Sequence, residues 1–338
     1  MRKPTIVSDH VPVLLSDFSS FLPRLSGVWI DGTFGDGGYS RRLLDSGASK
    51  VIAIDLDPDV LPCAAEFEKL WPDRFIIFQN NFCKMTELVS GLGLKNISGV
   101  VLDVGISSMQ IDQSIRGFSF KNDGPLDMRF AQKGPSAKDF INEANESLIA
   151  EVLLTFGEER HAKAIAKRIV AIRKKCSIDS THQLANIIVQ VLGNNSSHKT
   201  HPATRSFQAI RVAINAELQN LIIGLISAYG LLRIGGYLAV ITFHSLEDRI
   251  VKRFLNFKVT GNNSLDEVKC VGGNSEPIFN KLNNRPVTAT PEETIENPRA
   301  RSAKLRIARK ISHQDINVDP SFLGLPEVST KLRKFQCE

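Results

Sequence analysis

The chain is poor in cysteine. Five are scattered through 338 residues, at Cys63, Cys83, Cys176, Cys270 and Cys337, and no two form a Cys-x-x-Cys pair. An odd number at such spacing argues against a disulfide framework or a thiolate metal site, and fits a reducing cytoplasm. No apolar run approaches the roughly 20 residues that a membrane-spanning helix needs. The longest, residues 221–232, is interrupted by Ser227, Tyr229 and Gly230 and reads as a buried helix. The opening Met1-Arg2-Lys3-Pro4-Thr5-Ile6-Val7-Ser8-Asp9-His10 lacks the apolar core of a signal peptide. There is no internal repeat. The formal net charge of +6 permits a nucleic-acid partner and fits ordinary solubility equally well.

What is present is an alternation of short apolar runs rich in β-branched residues with helical patterns. Residues 28–34, 50–56, 75–78, 99–106 and 237–243 read as buried parallel strands. Helical stretches at 39–45, 58–70 and 84–92 connect the first four. This order predicts an α/β fold, a Rossmann-like doubly wound sheet with its ligand at the carboxyl ends of the strands. The interval before the fifth strand is too long for one crossover. It carries helical patterns at 136–142, 147–156, 159–175, 180–192 and 202–226. The predicted organisation is a discontinuous first domain (1–110 and 215–312), an inserted helical domain (111–214) and a tail (313–338) without usable periodicity. Ser245-Leu246-Glu247-Asp248 has the form of a capping box opening a helix at 246–254. Residues 261–297 read as a long loop, and 303–309, alternating apolar and basic, as a final half-exposed strand.

Between the first strand and its helix lies Asp31-Gly32-Thr33-Phe34-Gly35-Asp36-Gly37-Gly38-Tyr39-Ser40. A dinucleotide turn wants Gly-x-Gly-x-x-Gly, and here Ser40 replaces the third glycine. Asp31 would repel a diphosphate and attract an ammonium group, unless it only caps the turn. Asp55, about 20 residues past the glycine turn, suits ribose hydroxyls. Asp57 reads as the cap of the next helix. Phe82 suits an adenine face or the core. Asp103 ends the fourth strand. Three acids at three strand ends would raise one another's pKa unless a cation joins them. A ligand carrying an ammonium, a sulfonium and a ribose, S-adenosylmethionine, relieves that crowding.

On the substrate side, residues 116–129 combine Phe118 and Phe120 with acids and arginines around an Asp123-Gly124-Pro125 turn. Such a loop either stacks bases or is pinned into the core by its rings. In the helix from Pro202, Arg205, Gln208, Arg211 and Asn215 share one face, which suits phosphate or simple solvation. Lys163, Lys167, Arg168, Arg173, Lys174 and Lys175, and later Arg299, Arg301, Lys304 and Arg306, add basic character. His244 follows the fifth strand and reads as a substrate contact or a structural residue.

Taken in order, these segments resemble the MraW, or ribosomal RNA small subunit methyltransferase H, family. The resemblance rests on His10-Val11-Pro12-Val13-Leu14-Leu15, Asp31 to Gly38, Asp103-Val104-Gly105-Ile106-Ser107-Ser108 and Arg116-Gly117-Phe118-Ser119-Phe120. It continues through Asp123-Gly124-Pro125-Leu126-Asp127-Met128-Arg129, His201-Pro202-Ala203-Thr204-Arg205, Phe243-His244-Ser245-Leu246-Glu247-Asp248 and Asn297-Pro298-Arg299-Ala300-Arg301-Ser302. It implies methylation of the exocyclic N4 of a cytidine in 16S ribosomal RNA, near the P site of the small subunit's decoding centre, during ribosome biogenesis. Neither a metal nor a membrane is implied. The family's cofactor positions fall on Gly37, Gly38, Tyr39, Asp55, Phe82, Asp103 and Gln110, with Tyr39 where the family usually has histidine. Candidates for RNA contact are Phe118, Phe120, Arg129, Arg205 and Arg211. The target amine's lone pair is delocalised, so it needs an acceptor, for which Asp103, Asp127 and His244 are the candidates. The rival readings are a methyltransferase of proteins or small molecules, and a non-enzymatic assembly factor.

Overall fold

The computed structural model describes residues 12–22, 24–193, 201–260 and 275–336. His10, Val11, Cys270, Cys337, the opening ten residues and the first part of the 261–297 excursion lie outside them. The described chain divides into two units. Unit 1 takes its residues from 1–105 and 220–324, and unit 2 from 106–219 and 325–338.

Unit 1 is built on an eight-stranded sheet in the order β3-β2-β1-β4-β5-β10-β8, with β9 also on β10. Its first five strands are β1 (Val28–Asp31), β2 (Lys50–Asp55), β3 (Phe75–Gln79), β4 (Ile97–Asp103) and β5 (Leu232–Thr242). They run parallel, as runs such as Val51-Ile52-Ala53-Ile54, buried on both faces, require. Strands β6 (Lys258–Thr260) and β7 (Ser275–Pro277) form a separate pair. Strands β8 (Phe279–Lys281), β9 (Val287–Thr288) and β10 (Lys304–Lys310) complete the main sheet antiparallel.

Two expectations change here. The 261–297 stretch is not only a loop: its described part supplies β8, β9 and the helix Pro291–Glu296. Because β8 and β9 cover its outer edge, β10 is not half-exposed. Leu305 and Ile307 are fully buried, and Arg306 keeps 7% of its surface.

The chain order reverses between β1 and β4, which makes that gap the switch point where parallel sheets bind ligands. Gly99 keeps these strands close. It pairs with Trp29 on one side and Tyr237 on the other. The two rings stack across it at 6.3 Å, nearly parallel at 10°. A Cβ on Gly99 would lie 2.2 Å from the Trp29 ring.

Unit 2 gathers the helices Ala137–Glu143, Glu146–Gly157, Ala162–Arg173, Thr181–Leu192 and Thr204–Ile214. The helix expected over 202–226 breaks at Asn215–Ala216, where Ala216 takes φ +50°. A new helix, Glu217–Leu231, follows, and its Leu221, Ile222, Leu225 and Ala228 are buried. No single helix among the described residues is long and apolar enough to cross a membrane. The described part of the expected tail divides, residues 313–324 falling in unit 1 and 325–336 in unit 2. The 3-10 helix Glu327–Phe335 buries Val328, Leu332 and Phe335, with the Phe335 ring edge-on to Phe140 at 5.4 Å.

Gly99→Ala forces Trp29 off its stack. Overpacking of this kind costs about 1–3 kcal/mol. Urea unfolding checks it: a midpoint unchanged from wild type contradicts the packing described.

Candidate functional site

The glycine-rich turn links β1 to the helix Gly38–Asp45. Gly37 is its N-cap at φ +77°, a left-handed conformation that side chains resist. Gly38 lies against Pro12, and a Cβ there would approach its ring to 1.9 Å. Ser40 accounts for the missing third glycine. Its hydroxyl donates to Asp31 Oδ2 at 2.7 Å, while Asp31 Oδ1 accepts from the Thr33 N–H at 3.2 Å. Asp31 is fully buried, so it caps the turn rather than meeting a ligand's ammonium directly. Burial lifts its pKa to about 6.

Asp55 ends β2. Its Oδ2 accepts from the Gly35 N–H at 2.8 Å and its Oδ1 from the Asp57 N–H at 2.9 Å. Each oxygen retains acceptor capacity for a hydroxyl. Burial, offset in part by these bonds, raises its pKa to about 6. Asp57 caps the following turn, as its sequence position suggested.

Asp103 ends β4 across the switch point. Its backbone N–H donates to the Thr33 hydroxyl oxygen at 2.6 Å, which ties β4 to the glycine-rich turn. Its Oδ1 is buried without a hydrogen-bond partner, although the residue as a whole is half-buried. Burial, then the charges of Asp31 and Glu247, push the Asp103 carboxyl up to about 8.

Phe82 follows β3 and is half-buried. Its ring lies on Gly224, where a Cβ would meet it at 2.5 Å. One edge is thereby fixed while the ring stays accessible. Tyr39 is different. Its hydroxyl donates to the Val13 carbonyl at 2.6 Å, and its ring meets Phe18 edge-on at 5.3 Å. The side chain is 3% exposed, leaving Tyr39 only its backbone for a ligand. Gln110 belongs to unit 2, and its Oε1 accepts from the Ser107 N–H at 3.0 Å in a capping box. The structure therefore brings Gly37, Gly38, Tyr39, Asp55, Phe82 and Asp103 to one sheet edge of unit 1, and does not bring Gln110 there within that unit.

The RNA-contact residues read from sequence fare unevenly in unit 2. Phe118 is buried, stacked on Phe130 at 5.4 Å. Arg129 is bound to Asp127 through Nε and Nη2 at 3.0 and 2.6 Å. That pairing engages both Asp127 oxygens, and Oδ1 also accepts from the Arg129 N–H at 2.9 Å. Arg211 pairs bidentately with Glu217 at 2.7 and 2.9 Å. Asn215 donates to the Met128 carbonyl at 2.7 Å and accepts from the Phe130 N–H at 3.0 Å. The polar face of the helix thus holds the 116–130 loop in place. Arg205 is exposed, and half-buried Phe120 lies against His201 and Phe207 with centroids 4.5 and 4.8 Å away.

In unit 1, Lys304 and Arg306 pair with Asp248 at 3.3 and 2.7 Å. That engagement displaces the expected capping box. Its acid is Glu247, whose Oε2 accepts from the His244 N–H at 3.2 Å, not Asp248.

Residues 7–311 match the MraW methylase family. The chain belongs to that family. It is 44% identical over 325 residues to the ribosomal RNA small subunit methyltransferase H of Cereibacter sphaeroides (strain ATCC 17025), covering 96% of this chain and 97% of the relative. The protein of the same name from Jannaschia sp. (strain CCS1) is 45% identical over 319 residues, with 94% and 96% covered. Among solved structures, an rRNA methylase from Streptococcus thermophilus matches at TM-score 0.41 and 8% identity, over 90% of this chain and 99% of that one. A putative methyltransferase from Streptococcus mutans, solved with S-adenosylhomocysteine, matches at 0.40 and 12%, over 89% and 100%.

The family's chemistry suits the edge. An orphaned, proton-holding Asp103 beside Asp31 wants a cation or a hydroxyl donor. In the ligand-free protein the sign follows. A carboxyl whose folded pKa lies above its ordinary 3.8 contributes stability that is complete below 3.8 and lost as pH rises through the folded value. For Asp103 that window runs from about 4 to about 8. Asp103→Asn removes it, so the variant's Tm should fall less than wild type's across that range. Parallel Tm curves contradict the assignment.

Proposed function

We propose that the protein transfers a methyl group from S-adenosylmethionine to the exocyclic N4 of a cytidine in 16S rRNA, near the P site of the small subunit's decoding centre. Asp103 carries the reading. Its buried oxygen lacks a partner and its carboxyl resists ionisation until a cationic ligand arrives. Bound there, S-adenosylmethionine supplies an electrophilic methyl on a sulfonium. Backbone groups of Gly37, Gly38 and Tyr39, the Asp55 carboxylate, the Phe82 ring and Asp103 hold it. Asp55 takes ribose hydroxyls and Phe82 a face of adenine. The relatives' shared name supports a small-subunit rRNA substrate, and a ribosomal substrate places the enzyme in the cytoplasm.

RNA phosphates meet the exposed cations of unit 2. Lys163, Lys167, Arg168, Lys174 and Lys175 stand exposed on and just beyond the helix Ala162–Arg173, and Arg205 on another helix. Phe120 offers a ring for stacking. Arg129 and Arg211, held by their carboxylates, shape the loop instead.

Incubation with tritiated S-adenosylmethionine and undermethylated 30S subunits, followed by nucleoside mapping, tests the reading. Label should appear in N4-methylated cytidine of 16S rRNA. Label in ribosomal protein supports the protein-methyltransferase rival, and binding without transfer supports the assembly factor. Either outcome overturns the proposal.

A further inference from the structure

Asp103 Oδ1 is one of three orphaned polar atoms at neighbouring strand ends in unit 1. The others are Nδ1 and Nε2 of His244, both buried and without an aligned hydrogen bond, the ring facing the Glu247 N–H at the start of the helix. His244 stands two residues beyond β5, the strand paired with β4, where Asp103 faces Ile241. Beyond the strands the neighbours stay together: the Val104 N–H donates to the Ile241 carbonyl at 3.0 Å, and Gly105 lies against the Phe243 ring. The imidazole thus emerges beside the edge that holds the cofactor residues. Its side chain is only 9% exposed.

Glu247 is a charged neighbour of the ring in the same unit. Glu247 Oε2 accepts from the N–H of Phe243 at 2.9 Å and of His244 at 3.2 Å. Its Oε1 lies 2.9 Å from His244 Nε2, at ion-pair distance though not aligned as a hydrogen bond. The carboxylate, 2% exposed, is fixed by the backbone of the residue it serves. A carboxylate so placed fixes which way the ring faces.

We propose that His244 is the acceptor for the target amine, with Glu247 its positioning residue. This rests on the N4-methylation reading and adds the group that restrains and deprotonates the nitrogen. A ring nitrogen of neutral His244 accepts a hydrogen bond from the N4 amine and directs the nitrogen's lone pair toward the methyl carbon. The N–C bond forms as the C–S bond breaks, its electron pair passing to sulfur. The proton shed by the methylated nitrogen moves to His244, and Glu247 balances the imidazolium until solvent removes it. The other two candidates answer to other charges. Both Asp127 oxygens hold Arg129. Asp103 answers to the cofactor's charge. Sequence pattern pointed to Ser245 and Asp248 as the capping pair, so the Glu247–His244 contact was not legible there.

The test reads single-turnover methyl transfer to undermethylated 30S subunits beside calorimetric binding of S-adenosylmethionine. His244→Asn keeps a polar side chain but cannot carry a proton. It should slow transfer about 100-fold or more, the scale of general-base removal, with cofactor affinity within about threefold of wild type. Glu247→Gln should lower kcat with KM for the subunit nearly unchanged. Added imidazole should restore part of the rate to His244→Gly, which a merely structural role would not allow. Transfer by His244→Asn within about threefold of wild type overturns the proposal, as does loss of cofactor affinity in step with rate. If wild type itself forms no N4-methylcytidine, the underlying reading has failed, and the wild-type arm shows that separately.

Discussion

Burial of negative charge at the carboxyl ends of β1, β2 and β4 is the constraint around which unit 1 is arranged. Asp31, Asp55 and Asp103 all hold their protons more tightly than free carboxyls do, with desolvation the largest cause in each. They are not equivalent. Asp31 is satisfied by Ser40 and Thr33 and contributes a field. Asp55 is satisfied by the backbone of the glycine-rich turn and its neighbour, with capacity left over. Asp103 has a buried oxygen with no partner. The gradation separates an acid held by side chain and backbone, an acid held by backbone alone and an acid with an unpartnered buried oxygen. The same turn that removes the third glycine of a dinucleotide site installs the hydroxyl that holds Asp31.

Part of the charge elsewhere in the chain is spent on itself. Arg129, Arg211, Arg306 and Lys304 each meet a carboxylate, and Lys310 donates to the backbone carbonyls of Tyr229 and Leu232 at 2.6 and 2.9 Å. Breaking a buried pair leaves an uncompensated charge, so such pairs fix loops and strands. Cations left exposed include Lys163, Lys167 and Arg168 in unit 2 and Arg249, Lys252 and Arg301 in unit 1. A sequence count of basic residues overstates the surface open to RNA, because it cannot separate these two populations.

The first five strands were legible because each carries a short apolar run rich in β-branched residues, almost wholly buried in β1, β2 and β4, and the helix caps at Ser136 and Ser180 follow the Ser-x-x-acid or amide pattern. Strands β8 and β9 were not, being three and two residues long and defined only by pairing with β10. The last helix carried a readable signal in Val328, Leu332 and Phe335, spaced to share one face. Asp55 and Asp103 end β2 and β4 as read from sequence, while Phe82 stands three residues past β3. The side-chain roles of Asp31, Tyr39, Phe118, Arg129 and Arg211 were not legible, since each depends on a partner whose approach only the fold sets.

If the acidic edge binds a cation, binding must expel protons that the ligand-free carboxyls hold near neutral pH. Calorimetric titration with S-adenosylmethionine in buffers of different ionisation enthalpy measures this directly. Net proton release is expected near pH 7, diminishing above about pH 8 as Asp103 ionises unaided. A binding enthalpy independent of buffer across that range would contradict it.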